Sequence, residues 1–80
     1  MEVYARVSKS LNQIQIQKRS GNFSTLMTVR DARIAHERGV ITKMNKVMRR
    51  LVENDFDVTK TLAWYQEERE RIRNSSTDEG

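Results

Sequence analysis

The sequence predicts an α+β fold in one small domain: a three-stranded antiparallel sheet followed by about three helices. Three observations carry that prediction. Gln13-Ile14-Gln15-Ile16-Gln17 alternates polar and apolar residues without a slip, the period-2 signature of a half-buried strand. Ser20-Gly21-Asn22 supplies turn chemistry ahead of a β-favouring run from Phe23 to Thr28. From Thr28 onward the apolar residues recur at helical spacing, punctuated by capping residues.

Taken in order, Val3, Ala5 and Val7 alternate with Tyr4, Arg6 and Ser8, which predicts a first strand. Ser8 to Asn12 makes a turn of hairpin length. A second strand runs from Gln13 to about Lys18, a turn covers Arg19 to Asn22, and a third strand runs from Phe23 to Met27. A competing pattern exists. Tyr4, Val7, Leu11, Ile14 and Lys18 also fit a 3-4-3-4 spacing, so residues 2–18 could form one amphipathic helix. Ile16 falls off that stripe, and Val3 and Val7 favour strands, so the sheet is the better reading.

Thr28 is a good N-cap, with its hydroxyl positioned to accept the Asp31 amide. The helix it opens spans Val29 to Arg38. Val29, Ala32, Ala35 or His36, and Gly39 give it a narrow, small-residue face, and Gly39 is the expected left-handed residue after its end. Thr42 caps the next predicted helix, Lys43 to about Glu53, with Met44, Val47, Met48 and Leu51 as its apolar stripe. Asn54-Asp55 breaks it. Asp57 caps the last helix, Val58 to about Arg73, where Val58, Leu62, Tyr65 and Ile72 share a side interrupted by Arg69. Residues 1–73 therefore make the domain, and the polar stretch 74–80 is expected to be a disordered tail.

Composition bounds the function. A chain of 80 residues makes one domain, only 36% hydrophobic and without cysteine. So short a chain buries about 60–65% of its unfolded surface, and a homodimer through the C-terminal helix is an expected way to complete the core. No apolar run approaches the ~18 residues of a membrane span, and residues 1–21 lack a signal-peptide apolar region. A soluble cytoplasmic protein is the expectation. The net charge of +4 conceals an asymmetry. Residues 1–50 carry eleven Lys or Arg against three acids, net +8, whereas residues 51–80 carry four against eight, net −4. Such an imbalance points to a polyanion-facing half, although solvated surface charge explains it equally well.

Catalysis finds little to use. His36 is the only histidine, there is no thiol nucleophile, and no glycine-rich phosphate loop occurs. Asp55 and Asp57 are accounted for by turn and cap roles. No enzyme, cofactor or metal site is expected. Binding is better served. With Val3, Val7, Ile14, Ile16 and Met27 facing the helix, the opposite sheet face presents Tyr4, Arg6, Gln13, Gln15, Gln17, Ser24 and Thr28, without a carboxylate. Arg and Gln make bidentate contacts to guanine and adenine edges in the major groove, and a sheet is one way to present them. Lys9, Lys18 and Arg19 in the turns would reach phosphates. The plainer reading is that exposed glutamines keep a strand soluble.

The first strand beginning VYARV, two further strands, and the helix-opening segment Thr28-Val-Arg-Asp-Ala-Arg-Ile-Ala-His-Glu-Arg38 resemble the AP2-type DNA-binding domains, including the arm-binding N-terminal domains of tyrosine recombinases. That resemblance covers residues 3–38 and implies a sheet face reading duplex DNA, as a regulator or recombination accessory protein would. The tryptophan and second glycine of the sheet in those families are missing here, and the two following helices lie outside the pattern.

A second nucleic-acid route uses Ala35 to Val40 followed by Thr42 to Leu51 as a helix-turn-helix, with Lys43, Asn45, Lys46, Arg49 and Arg50 on a recognition helix. An amphipathic helix with a basic outside explains the same residues. The reading from a different class is a small inhibitor or adaptor that binds protein, for example a host nucleic-acid enzyme. Trp64 and Tyr65, adjacent on a helix and unable to face the same way, would be its partner-binding anchors.

Overall fold

Glu2–Ser8 (β1), Gln13–Ser20 (β2) and Phe23–Met27 (β3) form the expected antiparallel meander, which excludes a helix over residues 2–18. The computed structural model describes residues 1–8 and 12–79, with side chains through residue 72. Ala5 stands opposite Ile16 and Val7 opposite Ile14, while Ile16 stands opposite Met27. The period-2 pattern thus puts all of these on one face, and Tyr4, Arg6, Gln15 and Gln17 on the other. The second strand runs two residues past its predicted end. Its turn shrinks to Gly21-Asn22, with Gly21 at φ 59° in the first loop position, where a type II′ turn needs glycine.

Val29–Glu37 (α1) follows at once, and the Asp31 amide donates to the Thr28 hydroxyl at 3.0 Å, as the capping pattern predicts. At its other end Val40 N–H reaches Ala35 O (3.3 Å) and Gly39 N–H reaches His36 O (3.0 Å), a Schellman closure with Gly39 at φ 69°. A methyl group at Gly39 meets nothing within 4 Å, so only the backbone conformation demands glycine. Gly39→Ala should therefore cost about 1 kcal/mol. The check is a denaturant midpoint that falls while the slope of the transition stays constant.

The next segment departs from expectation. Lys43–Met44 is a short strand (β4) parallel to β1, opposite Glu2 and Val3, so the sheet is mixed and four-stranded in the order β3-β2-β1-β4. The following helix, Lys46–Glu53 (α2), starts three residues later than predicted, with Asn45 rather than Thr42 as its N-cap. The physical reason is a competition for polar side chains. Thr42 donates its hydroxyl to Met1 O at 3.1 Å, whereas Asn45 both caps α2, accepting Met48 N–H at 3.1 Å, and bonds the edge of β1. Its Oδ1 accepts the Ala5 N–H at 3.0 Å and its Nδ2 donates to the Ala5 carbonyl at 2.8 Å. One asparagine side chain thus takes the place of a strand residue where β4 stops.

A left-handed pair, Asp55 and Phe56 (φ 55° and 61°), turns the chain out of α2. Asp57 accepts Lys60 N–H at 3.1 Å and caps Val58–Glu79 (α3), which continues past Arg73, where the pattern ends it, to Glu79; Gly80 lies outside the described residues. Val3, Ala5 and Ile16 from the sheet, Ala32 from α1, and Met48 and Leu51 from α2 form the buried core, and α3 packs against α2 and β2. The predicted inner side of α3 needs two corrections. Ile72 is largely exposed, and Thr61 is fully buried instead. The Thr61 hydroxyl escapes the usual cost of a buried polar group by donating to Asp57 O (2.9 Å) and accepting from Asn54 Nδ2 (3.1 Å). No helix among the described residues is long and apolar enough to cross a membrane.

Candidate nucleic-acid interface

The meander leaves one sheet face without a helical cover, and register decides what it carries. Tyr4 stands opposite Gln17, Arg6 opposite Gln15, Glu2 opposite Arg19, and Arg19 opposite Ser24. Arg6, Gln13, Gln15 and Arg19 are exposed, and Tyr4 and Gln17 are half-buried. An open groove of about 730 Å³ crosses the face from Asn22 and Ser24 on the β2–β3 side, past Arg19 and Arg6, to Asn45 and Tyr65 beyond the β1 edge. Thr28 is exposed too, but its hydroxyl is committed to capping α1.

Two expectations for this face change. Because β2 continues to Ser20, Arg19 is a strand residue that joins the outer face, while its neighbour Lys18 is exposed on the helix-bearing side. The face also carries a carboxylate after all. Glu2 accepts a hydrogen bond from the Tyr4 hydroxyl. That bond is the largest cause holding the Glu2 carboxyl below its ordinary range, with partial burial opposing it and the Lys43 and Arg19 charges assisting. The same bond raises the Tyr4 phenol, with burial and the Glu2 charge adding to it. Lys9 lies outside the described residues.

Tyr4→Phe should therefore move the Glu2 titration upward toward the ordinary carboxylate value. A folded-state value held low stabilises the fold above the unfolded value and is lost as pH falls through the folded one, so the variant should lose its acid-side stability sooner. Carboxyl-carbon NMR titration of Glu2 reads this directly. An unmoved midpoint would show that the phenol contributes nothing.

The second basic surface is rearranged. Lys43 belongs to β4 and Asn45 is consumed as a cap, so neither stands on a recognition helix. With a strand between α1 and α2, the connection is not the three- to four-residue turn of a helix-turn-helix. The cations that remain on α2 gather around Trp64. Lys46 Nζ lies 5.9 Å and the Arg50 guanidinium 5.4 Å from its ring centroid, close enough for cation–π attraction. Arg50 also pairs with Glu53 at 3.3 Å, while its Nε is buried without a hydrogen-bond partner. Arg49 is exposed. Trp64, on α3, is half-buried beneath the α2 cations, and Tyr65, also half-buried, has the Arg69 guanidinium 6.0 Å from its ring centroid. These residues were invisible as a group in the sequence, since nothing in their spacing joins Lys46 to Trp64.

His36 is exposed and meets Phe56 edge-on at 5.8 Å. Among the described residues no group of three or more His, Asp or Glu could hold a metal ion. No protein-family model, curated protein or solved structure matches the chain.

Proposed function

We propose that this protein is a non-catalytic binder of duplex DNA that lays the outer face of its sheet in the major groove. The observation that carries the reading is the juxtaposition of Arg6 and Gln15 on adjacent strands, with Gln13, Gln17 and Arg19 flanking them on a face no helix covers. Three strands at about 4.8 Å spacing span roughly 10 Å, against a groove about 12 Å wide. Arg and Gln are suited to base edges, and Lys43 at the β1 side extends the positive rim toward phosphates. The resemblance of residues 3–38 to AP2-type domains supports the same face. The Lys46–Arg50 helix is the weaker surface, because two of its cations are engaged by Trp64 and Glu53.

The test is fluorescence anisotropy against a random duplex, repeated as salt is raised from about 50 to 200 mM. Binding that weakens linearly in log salt, with a slope corresponding to several released counterions, is the expected result. Absence of binding at the lowest salt overturns the reading and leaves a protein partner as the explanation of the charge asymmetry.

A further inference from the structure

The two edges of the sheet are treated differently. The β1 edge is covered by the chain itself, through β4 opposite Glu2 and Val3 and through the Asn45 side chain at Ala5. Among the described residues nothing pairs with the β3 edge. Phe23, Ser24, Thr25 and Leu26 are all exposed, Phe23 to 79% and Leu26 to 65%, and the strand holds no charge and no proline. Proteins that remain single blunt such an edge with lysine, proline, a bulge or a cover. From this we propose that β3 pairs antiparallel with β3 of a second copy across a two-fold axis at Thr25.

Hydrogen-bond parity fixes the register. The two-residue turn makes Ser20 and Phe23 a hydrogen-bonded pair, and such pairs then alternate with unbonded ones along the ladder. Lys18–Thr25 and Ile16–Met27 are therefore bonded, and the amides and carbonyls of Ser24 and Leu26 point outward. The Asn45 bonds agree independently. They show that Ala5 directs its backbone groups away from β2, which leaves Ile16 directing its own toward β3. With the axis at Thr25, Ser24 of each copy stands opposite Leu26 of the other, so every outward backbone group of these two residues finds a partner. Phe23 then stands opposite Met27, an aromatic–thioether contact at each end.

Electrostatics permits the pairing. The nearest strand cations, the two copies of Lys18, would be three strand spacings apart, about 14 Å, against a screening length of about 8 Å. Covering two phenylalanines, two leucines and the strand backbone removes on the order of 1,000 Å², the low end for a specific interface, so the dimer is reversible. It would join two outer faces in one eight-stranded surface, and it stands whether or not that face binds DNA.

Three variants test it. Ser24→Pro removes an outward amide and the exposed 3.5 Å hydroxyl bond to Gln17 Oε1, and leaves the β2–β3 backbone ladder intact. Thr25→Cys places two thiols at an unbonded pair with Cα atoms about 4.5 Å apart, within disulfide reach. Ser24→Cys is the control, because its two copies lie roughly 8 Å apart on the diagonal. Sedimentation velocity over rising concentration should show the wild type moving from monomer toward dimer mass and Ser24→Pro staying monomeric with an unchanged circular dichroism spectrum. Under mild oxidant Thr25→Cys should cross-link and Ser24→Cys should not. A wild type monomeric throughout, with Thr25→Cys failing to cross-link, overturns the proposal. So does a dimer that survives Ser24→Pro while Thr25→Cys stays uncross-linked, which would place the interface elsewhere, for instance on α3.

Discussion

Arg6→Glu combined with Arg19→Glu should lower affinity for duplex DNA by about 100-fold or more and flatten its salt dependence, while leaving the fold unchanged. Both side chains are exposed, on neighbouring strands of the uncovered face, so neither change removes a buried contact. The magnitude follows from two effects of the same sign. Each arginine aimed at a base edge or a phosphate is worth about 1–3 kcal/mol in discrimination or binding. Each glutamate put in its place also repels the polyanion. The comparison that decides the surface is Arg49→Glu, which reverses an exposed charge on α2. Because Arg49 lies on α2 and not on the sheet face, screening by solvent should restrict its effect to about threefold. A reversed order, with Arg49→Glu costing more than the double variant, would assign binding to the helix and overturn the sheet-face reading. Equal, small losses from both would show that charge alone, rather than a site, attracts the DNA.

Local chemistry was legible and long-range substitution was not. The alternation from Gln13 to Gln17 fixed the two faces of the sheet, because a pleated strand admits no other assignment of its side chains. Thr28, Gly39 and Asp57 each announced a helix end through a bond to a residue no more than four positions away. The inner stripe of α2 was right at Met48 and Leu51 but wrong at Met44, which lies in β4. A two-residue strand has no period to detect, and Thr42 has the composition of a cap. Only the proximity of Ala5, forty positions away, shows why Asn45 takes the role instead. Thr61 is absent from the expected inner side of α3 for a related reason: nothing within the helix pattern marks a hydroxyl as buried until its bonds to Asp57 O and Asn54 Nδ2 are known. In the candidate site, Arg6, Gln15 and Gln17 were legible from alternation. Arg19 was misplaced in a turn because the extent of β2 depends on the tight loop at Gly21 rather than on anything within the strand.

Asn45→Ala should be strongly destabilising for a polar substitution, costing about 3 kcal/mol and lowering the melting temperature by about 12–24 °C. Loss of the N-cap to α2 accounts for about 1 kcal/mol. The remainder comes from the Ala5 amide and carbonyl, which lose both partners at a buried strand position. For a domain of this size, whose total stability is of order 5–10 kcal/mol, the change removes a large fraction. Asn45→Ser separates the two contributions. Serine retains an acceptor for the Met48 amide but is too short to reach across to β1, so it should recover about 1 kcal/mol and no more. Amide exchange supplies the spatial readout: in both variants the Ala5 amide should lose protection, while the Met48 amide loses it only in the alanine variant. If serine restores full stability, the side chain acts only as a cap and the bonds to β1 contribute nothing net. If it restores none, the strand edge, not the helix, is what Asn45 holds. The connection matters to the proposed site because the same asparagine fixes α2 beside β1 and lines the end of the groove past Tyr4 and Arg6. A variant that frees this edge should lose DNA affinity along with stability, even though Asn45 carries no charge to present to the duplex.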